Sequence, residues 1–383
     1  MIYPTKRLQV LGLMAAGLSL LASPALAQTR ADAAVPRYAH VVVIIEENKD
    51  YQQILAGKDA PNIARLARTY GTATQFYSEV HPSEANYVAL LGGDTFGIHD
   101  DDAYYCKAGS SAPYCFGAGK PGYADHTVRE PHLGDQLQAA GLTWKGYYED
   151  IPEAGSGSVF AGPGGAPALD STAAYYASKH SGFMNFASVQ NDPARPAHIV
   201  GFDRLEADLA ADALPNFALV IPNQCNEMHG LPSKDVAEDC QSANVAGLIR
   251  RGDGEVSRLV KRLQTSKAWR SRDNMAIIIT FDEGSGKTRE GCCAVTPDAP
   301  SNYGGGRIPT IVITNHGPRK VTDPTAYNHY SMLRTLEDAF GITTHLRHAA
   351  ETDQGVVPMT PLFETDHPLE RTLSRAFGRW RLQ

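Results

Sequence analysis

The sequence predicts an α/β fold, a mostly parallel central sheet flanked by helices on both faces. Three hydrophobic runs end abruptly in acid or amide residues: VVVIIEEN at 41–48, FALVIPNQCNEMH at 217–229 and AIIITFDEG at 276–284. A β-branched run that stops at polar groups has the pattern of a buried parallel strand whose carboxyl end opens into a site. Segments of strand and helix character also alternate along the chain, which argues for a sheet sandwiched by helices. Ligands in open α/β sheets bind outside the carboxyl ends of the strands, so the three polar run-ends are expected to meet in one oxygen-rich, metal-holding centre.

In chain order, a strand at 40–46 leads to a helix near 60–70, with Pro61 at its start and Ile63, Leu66, Ala67 and Tyr70 on one face. Strands are expected at 72–80, 142–148 and 198–201, and helices near 132–140, 203–212 and 253–267. The last part gives strands at 275–281 and 308–314 and a helix near 330–340. There is no internal repeat, heptad series or interdomain linker, so residues 28–383 are expected to form one domain. The glycine-rich stretches 154–167 (AGSGSVFAGPGGAP) and 285–306 read as loops near the mouth of the site, or equally as inert surface.

The first residues have the pattern of an export signal. Lys6 and Arg7 precede a short apolar stretch from Leu8 to Ala22, and Ala25-Leu26-Ala27 offers the small residues a signal peptidase accepts, so cleavage is expected after Ala27. The stretch is short of the roughly 20 residues a membrane span needs. Its removal takes away Lys6 and Arg7 and no acidic residue, which moves the net charge from −7 to −9. A chain so charged has no global attraction to nucleic acid or anionic membrane, and neither a spanning segment nor an amphipathic membrane-binding segment stands out. A periplasmic or secreted location permits disulfides among Cys106, Cys115, Cys225, Cys240, Cys292 and Cys293. Cys106 with Cys115 and Cys225 with Cys240 would each close a short loop, the adjacent Cys292-Cys293 is an unusual pair, and no CxxC spacing supports the rival zinc site.

The segment HPSEANYVALLGGDTFGIHDDD at 81–102 places Ser83 between a strand and a short helix that stops at glycine. A hydroxyl there lies at the positive end of the helix, where backbone N–H groups can hold a phosphate or oxyanion. Ser83 is thus a candidate nucleophile, with simple helix capping as the alternative. It lacks the flanking glycines of a GxSxG elbow. Asp100-Asp101-Asp102 reads as a solvated loop, with calcium binding as the alternative, and His40, His99, His126 and His132 as ordinary partly buried histidines. Tyr147, Tyr148, Tyr175 and Tyr176 suit either a substrate channel or core packing.

Five motifs in order carry a resemblance: Glu47-Asn48, Ser83 in HPSEANY, Asn223-Gln-Cys-Asn226-Glu-Met-His229, Asp282-Glu283-Gly284 and Asn328-His329-Tyr330-Ser331. Over roughly residues 38–345 the chain resembles the phosphoesterase family of bacterial acid phosphatases, phosphatidylinositol 3-phosphate phosphatases and non-haemolytic phospholipases C, within the alkaline phosphatase superfamily. The resemblance implies an alkaline-phosphatase-like fold and Glu47, Asn48, Ser83, Asp282 and Glu283 as ligands of a divalent cation. It implies Ser83 as the nucleophile that takes the phosphoryl group. His229 and His329 would line the phosphate pocket or bind a second cation, with Asn226 and Glu227 as weaker candidates. Two residues depart from the family's pattern: Ala85 stands where many relatives have proline, and Glu227 where aspartate is usual.

The residue types suit that chemistry. Phosphoryl transfer needs positioning and charge stabilisation more than covalent work. Carboxylates and an amide oxygen are hard ligands for Mg²⁺, Ca²⁺ or Mn²⁺, and imidazoles also admit Zn²⁺. A charged histidine protonating the leaving alkoxide would favour mildly acidic pH. The expected activity is an exported phosphoric monoester hydrolase acting on a small molecule or lipid head group. A phospholipase C-type phosphodiesterase and a catalytically inactive secreted metal-binding protein are the alternatives. Metal identity and number, natural substrate and oligomeric state are left open, and Arg307 is the guess for the side chain that anchors phosphate opposite the metal.

Overall fold

The structure is a computed structural model, and it describes residues 34–168, 171–294 and 303–364; the expected leader at 1–27 lies outside the described residues. Its centre is an eight-stranded sheet. The strands are β1 (His40–Glu46), β2 (Gly71–Tyr77), β3 (Trp144–Tyr148), β6 (Ile199–Gly201), β7 (Phe217–Ile221), β8 (Met275–Phe281), β9 (Arg307–Thr314) and β10 (Val321–Tyr327), while β4 (Phe160–Ala161) and β5 (Tyr176–Ala177) form a separate small hairpin. The order across the sheet is β10-β2-β9-β8-β1-β7-β3-β6. β1 pairs in parallel with β7 and with β8, so the three runs picked out by their polar ends are neighbours at the middle of the sheet. Every residue of β7 and β8 is buried, as a strand covered on both faces requires.

The sheet is mostly parallel with one exception. β9 runs antiparallel to both β2 and β8. That reversal brings the start of β9, not its end, to the edge where the other strands finish. β10 was not expected, because VTDPTAY has no apolar run; it pairs with β2 alone, at the border of the sheet, where Asp323 and Pro324 are tolerated.

Helices flank the sheet in two groups. Pro61–Thr69 packs against Val245–Gln264, and Glu84–Gly92 packs against Leu133–Ala139 and His329–Phe340. The helix expected from 253 begins at Val245, capped by the Asn244 side chain, which accepts from Gly247 N at 3.0 Å. Gly252 and Asp253, which look like a break in the sequence, are functional parts of it. A Cβ on Gly252 would stand 2.4 Å from Met228 Cγ, so the missing side chain lets the 223–229 loop lie against the helix. The buried Asp253 accepts from the backbone of Asn62 at 3.1 Å and of Ile63 at 2.8 Å, tying the two helices together.

Disulfides join Cys106 to Cys115, Cys225 to Cys240 and Cys292 to Cys293, so both short loops close as expected and the adjacent pair is also bonded. Among the described residues no helix is long and apolar enough to cross a membrane.

Candidate active site

The carboxyl ends of β8, β1 and β7 supply Asp282-Glu283, Glu47-Asn48 and the loop 222–231, and the helix starting at Glu84 points its first turn at them. Asn48 adopts a left-handed backbone (φ 49°), which turns the chain sharply as it leaves β1. Its amide N–H donates to Asp282 Oδ1 at 3.0 Å and its side-chain amide to Glu283 Oε1 at 2.6 Å, locking the two strand ends together. On the other side, Glu47 N donates to Glu227 O at 2.7 Å, and Lys49 Nζ to Met228 O at 2.8 Å.

Ser83 precedes the helix, and its hydroxyl makes no capping bond. It donates instead to Glu47 Oε2 at 3.1 Å. The other oxygen of Glu47 receives the Tyr87 hydroxyl. The capping alternative is therefore not what the structure contains: the hydroxyl faces the strand ends.

Glu47, Ser83, Glu227, Asp282 and Glu283 are all buried. Burial, and then mutual repulsion centred on Asp282, hold Glu47, Glu227 and Glu283 well above the usual carboxylate range. Among the described residues Asn48 Oδ1 and Asp282 Oδ2 are buried without a hydrogen-bond partner. Buried acceptors and carboxylates that lack a counter-charge are costly unless a cation joins them, so the donor set fits a divalent metal.

His180, which sequence reasoning missed, lies between Glu47 and Glu227 with its ring stacked on Tyr87. Its Nδ1 is 2.8 Å from Glu227 Oε1 and its Nε2 is 3.4 Å from Glu47 Oε1. These spacings look like ion pairs, but burial, reinforced by the positive charge of Lys179, holds the ring far below its ordinary value and therefore neutral. A proton on Nδ1 then leaves the Nε2 lone pair facing a carboxylate oxygen. His229 is alike: its Nδ1 lies 2.7 Å from Gly230 O, and burial followed by Lys179 lowers its pKa to about 3. One ligating atom each from Glu47, His180 and His229 falls within 4.8 Å of the others, a second set able to hold a cation.

Lys179 and Lys49 are positive groups near this cluster. Burial opposes the charge of Lys179, yet Asp101 at 2.9 Å, with Glu47 and Asp282 beyond, keeps its pKa above the ordinary lysine value. Asp101 also accepts from Glu84 N at 3.2 Å, so one carboxylate couples the ammonium to the helix start beside Ser83. Arg307, the guessed phosphate anchor, instead lies 3.9 Å over the Tyr51 ring.

His329 is placed differently from the other predicted residues. Its Nδ1 is 2.5 Å from Glu79 Oε2 and its Nε2 is 3.0 Å from Phe281 O, so neither ring nitrogen faces the cluster. Burial works against its charge, but Glu79 outweighs it and raises the pKa. The ring clamps the end of β8 one residue before Asp282. Asn226 donates to Glu149 at 2.8 Å and accepts from Arg251 at 2.7 Å, which orients the 222–231 loop.

The acidic run at 100–102 is not the solvated loop expected. Asp100 Oδ1 is 2.9 Å from His126 Nε2, and His126 Nδ1 is 3.0 Å from Glu84 Oε1. Burial alone would lower the His126 pKa; the two carboxylates more than reverse this and bring it to about 10. His126 is thus a fixed cation behind the helix start. Tyr147 and Tyr148 belong to the core, bonded to Asp208 at 2.7 Å and to Ser181 O at 3.0 Å. Of the two readings of the stretch after β8, its start lies against the strand ends, since Asp50 accepts from Ser285 and Thr288 at 2.6 and 2.9 Å. A wider cleft of about 890 Å³ opens beside β3 and β6 and includes Ala154 and Gly164 of the other glycine-rich loop. Lys145 and Arg204 in that cleft are both taken up by Asp208, so the convergence of reactive groups lies at β8, β1 and β7.

The profile of the Phosphoesterase family matches residues 55–343. A phosphatidylinositol-3-phosphatase of Mycobacterium tuberculosis is 31% identical over 340 residues, which cover 88% of this chain and 89% of that one. A phosphate-repressible acid phosphatase of Penicillium chrysogenum is 26% identical over 77% of this chain, which spans 57% of that longer protein. Among solved structures, the PsFucS1 sulfatase from Pseudoalteromonas has a TM-score of 0.50 at 13% identity, covering 86% of this chain and 73% of its own, a likeness of fold alone. A protein in the alkaline phosphatase superfamily from Vibrio parahaemolyticus aligns over 81% of this chain and 69% of its own with a TM-score of 0.48 and 15% identity.

Proposed function

The chain belongs to the Phosphoesterase family and is a phosphoric ester hydrolase, and from that premise we propose an exported, cation-dependent monoesterase that works through a phosphoserine at Ser83. One observation carries the proposal: the Ser83 hydroxyl makes no capping bond to its own helix and reaches Glu47 instead, where Asn48 Oδ1 and Asp282 Oδ2 lack partners. Glu47, Asn48, Asp282 and Glu283 would hold a divalent cation beside Ser83, which when bound lowers the hydroxyl pKa and neutralises charge on the phosphoryl oxygens. Residues 28–383 would form the single exported domain.

The chain's own groups do the rest. Ser83 Oγ attacks phosphorus as the P–O bond to the leaving group breaks, the alkoxide taking a proton from water, and Glu47 Oε2, which accepts the Ser83 hydroxyl at 3.1 Å, is placed to take the serine proton. The helix that begins at Glu84 turns its positive end toward the transferred phosphoryl oxygens, with its first N–H held by Asp101. Lys179, held by the same Asp101 that accepts from Glu84 N, supplies positive charge near the helix start, the role for which Arg307 is unsuited. Water then attacks the phosphoserine and restores the hydroxyl. His180 and His229 act as neutral groups, as ligands of a cation or as polar wall, which replaces the expectation of a charged histidine and an acidic optimum set by it. His329 keeps β8 in place. The 31% identity to a phosphatidylinositol-3-phosphatase supports phosphoinositides as candidate substrates.

Phosphate release from p-nitrophenyl phosphate, with EDTA and metal add-back and beside bis(p-nitrophenyl) phosphate, tests this reading. Metal-restorable turnover of the monoester is the expected result. Turnover of the diester alone would make the enzyme a phosphodiesterase, and inactivity with every cation would overturn catalysis.

A further inference from the structure

The segment from Ala103 to Ala124 takes no part in the chemistry above, and its composition departs from the rest. It contains no acidic residue, and Lys107 and Lys120 are its only charges, in a chain of net charge −7. Three large hydrophobic side chains are exposed among the described residues, and two of them stand here: Tyr114 at 40% and Phe116 at 82%. Ala112, Pro113 and Pro121 beside them are exposed as well.

This exposure is built, not loose. The Cys106–Cys115 disulfide closes the loop. The buried Asp102 carboxylate accepts the N–H of Phe116 at 2.9 Å, that of Gly117 at 2.8 Å and the Tyr123 hydroxyl at 3.0 Å. Ala103 N donates to Tyr114 O at 3.0 Å, and the Tyr114 ring packs edge-on against Phe160. The Tyr114 and Phe116 rings lie 6.4 Å apart, so they expose one apolar patch and not scattered side chains, and such a patch marks an interaction site. The base of the loop is continuous with the active site: Asp100 and His126 support Glu84 beside Ser83, and Asp101 holds Lys179.

We propose that Tyr114, Phe116, Lys107 and Lys120 form a docking tip for an anionic phospholipid surface. The rings enter the boundary between head groups and acyl chains while the lysines meet lipid phosphates, the combination that holds interfacial proteins to membranes. Charge complementarity selects this occupant, since the exposed segment carries two lysines and no acidic residue of its own in a chain of net charge −7. The docking stands by itself. Its catalytic meaning, a phosphate ester presented on a lipid surface, rests on the monoesterase reading.

The test is co-sedimentation of the full mature protein with vesicles of phosphatidylcholine, and of phosphatidylcholine with phosphatidylserine. Wild type is expected to favour the mixed vesicles. Phe116→Ser with Tyr114→Ser is expected to weaken that binding at least about tenfold, the scale of exposing a buried ring. Lys107→Glu with Lys120→Glu should abolish the preference for phosphatidylserine. Turnover of soluble p-nitrophenyl phosphate should be unchanged in both variants, which shows that they fold. Equal binding by wild type and the ring variant, or no binding by wild type, overturns the proposal; so does self-association that depends on Phe116, which would identify a second copy as the occupant. Vesicle binding without any ester turnover would refute the monoesterase and leave the docking tip standing.

Discussion

The hydroxyl of Ser83 is committed by geometry to Glu47, and that commitment sets the sharpest expectation. Ser83→Ala should retain its melting temperature and lose at least about 10³-fold in turnover of p-nitrophenyl phosphate, as removal of a nucleophile does. Lys179 makes a separate prediction, because Asp101 fixes its ammonium near the helix start beside Ser83. Lys179→Ala should weaken inhibition by inorganic phosphate about 10- to 100-fold, the worth of a hydrogen bond to a charged group, with partial recovery in Lys179→Arg. Asp101→Asn should do the same more weakly. Unchanged phosphate inhibition in Lys179→Ala would remove Lys179 from the phosphate wall.

The helix Leu133–Ala139 carries a pH-sensitive cap. His132 Nδ1 accepts from Gly134 N at 2.9 Å, and its ring packs 4.8 Å from Phe186. Burial lowers its pKa to about 4 from an ordinary 6.5. The folded state therefore refuses a proton that the unfolded chain accepts, so this contribution is whole above pH 6.5 and is lost as pH falls towards 4, by about 3 kcal/mol. Urea midpoints at pH 7 and pH 4.5 should fall less in His132→Asn, which keeps a capping acceptor without the titration. A second element-scale expectation concerns the 225–240 disulfide, which closes the loop that presents Glu227 and His229. Cys225→Ser with Cys240→Ser should cost about 3 kcal/mol in denaturant unfolding. The elements also show what the sequence could reveal. β1, β7 and β8 were legible because burial on both faces demands an unbroken apolar run. β10 was not, because a border strand needs none, and the reversal of β9 was not, because an apolar run carries no direction. Glu47, Asn48, Ser83, Asp282 and Glu283 sit at ends of such elements and are brought together, whereas Lys179 and His180 lie in an irregular stretch with no period to mark them.

For the whole molecule, the buried carboxylates at the sheet's centre should make stability respond to metal. A divalent cation at about one hundred times its dissociation constant should add about 2.7 kcal/mol, read as a rise in melting temperature that EDTA reverses. Export of the full chain with removal of residues 1–27 is checked by mass spectrometry of the secreted form. The arrangement of the strands has a further consequence for inheritance. The proposed nucleophile and the carboxylates and amide around it sit within two residues of a strand end or helix start at the middle of the sheet, while the long excursions at 93–132 and 149–198 leave and return around them. A middle fixed by its neighbours on both sides cannot drift without unmaking the fold, whereas in the excursions Asp100, Asp101, His126, Lys179 and His180 are tied to it and stretches away from them can be exchanged. The protein thus separates what must be preserved from what is free to diverge, and grafting the 103–124 segment onto a relative of different substrate preference should transfer where the enzyme works while leaving its chemistry as it was.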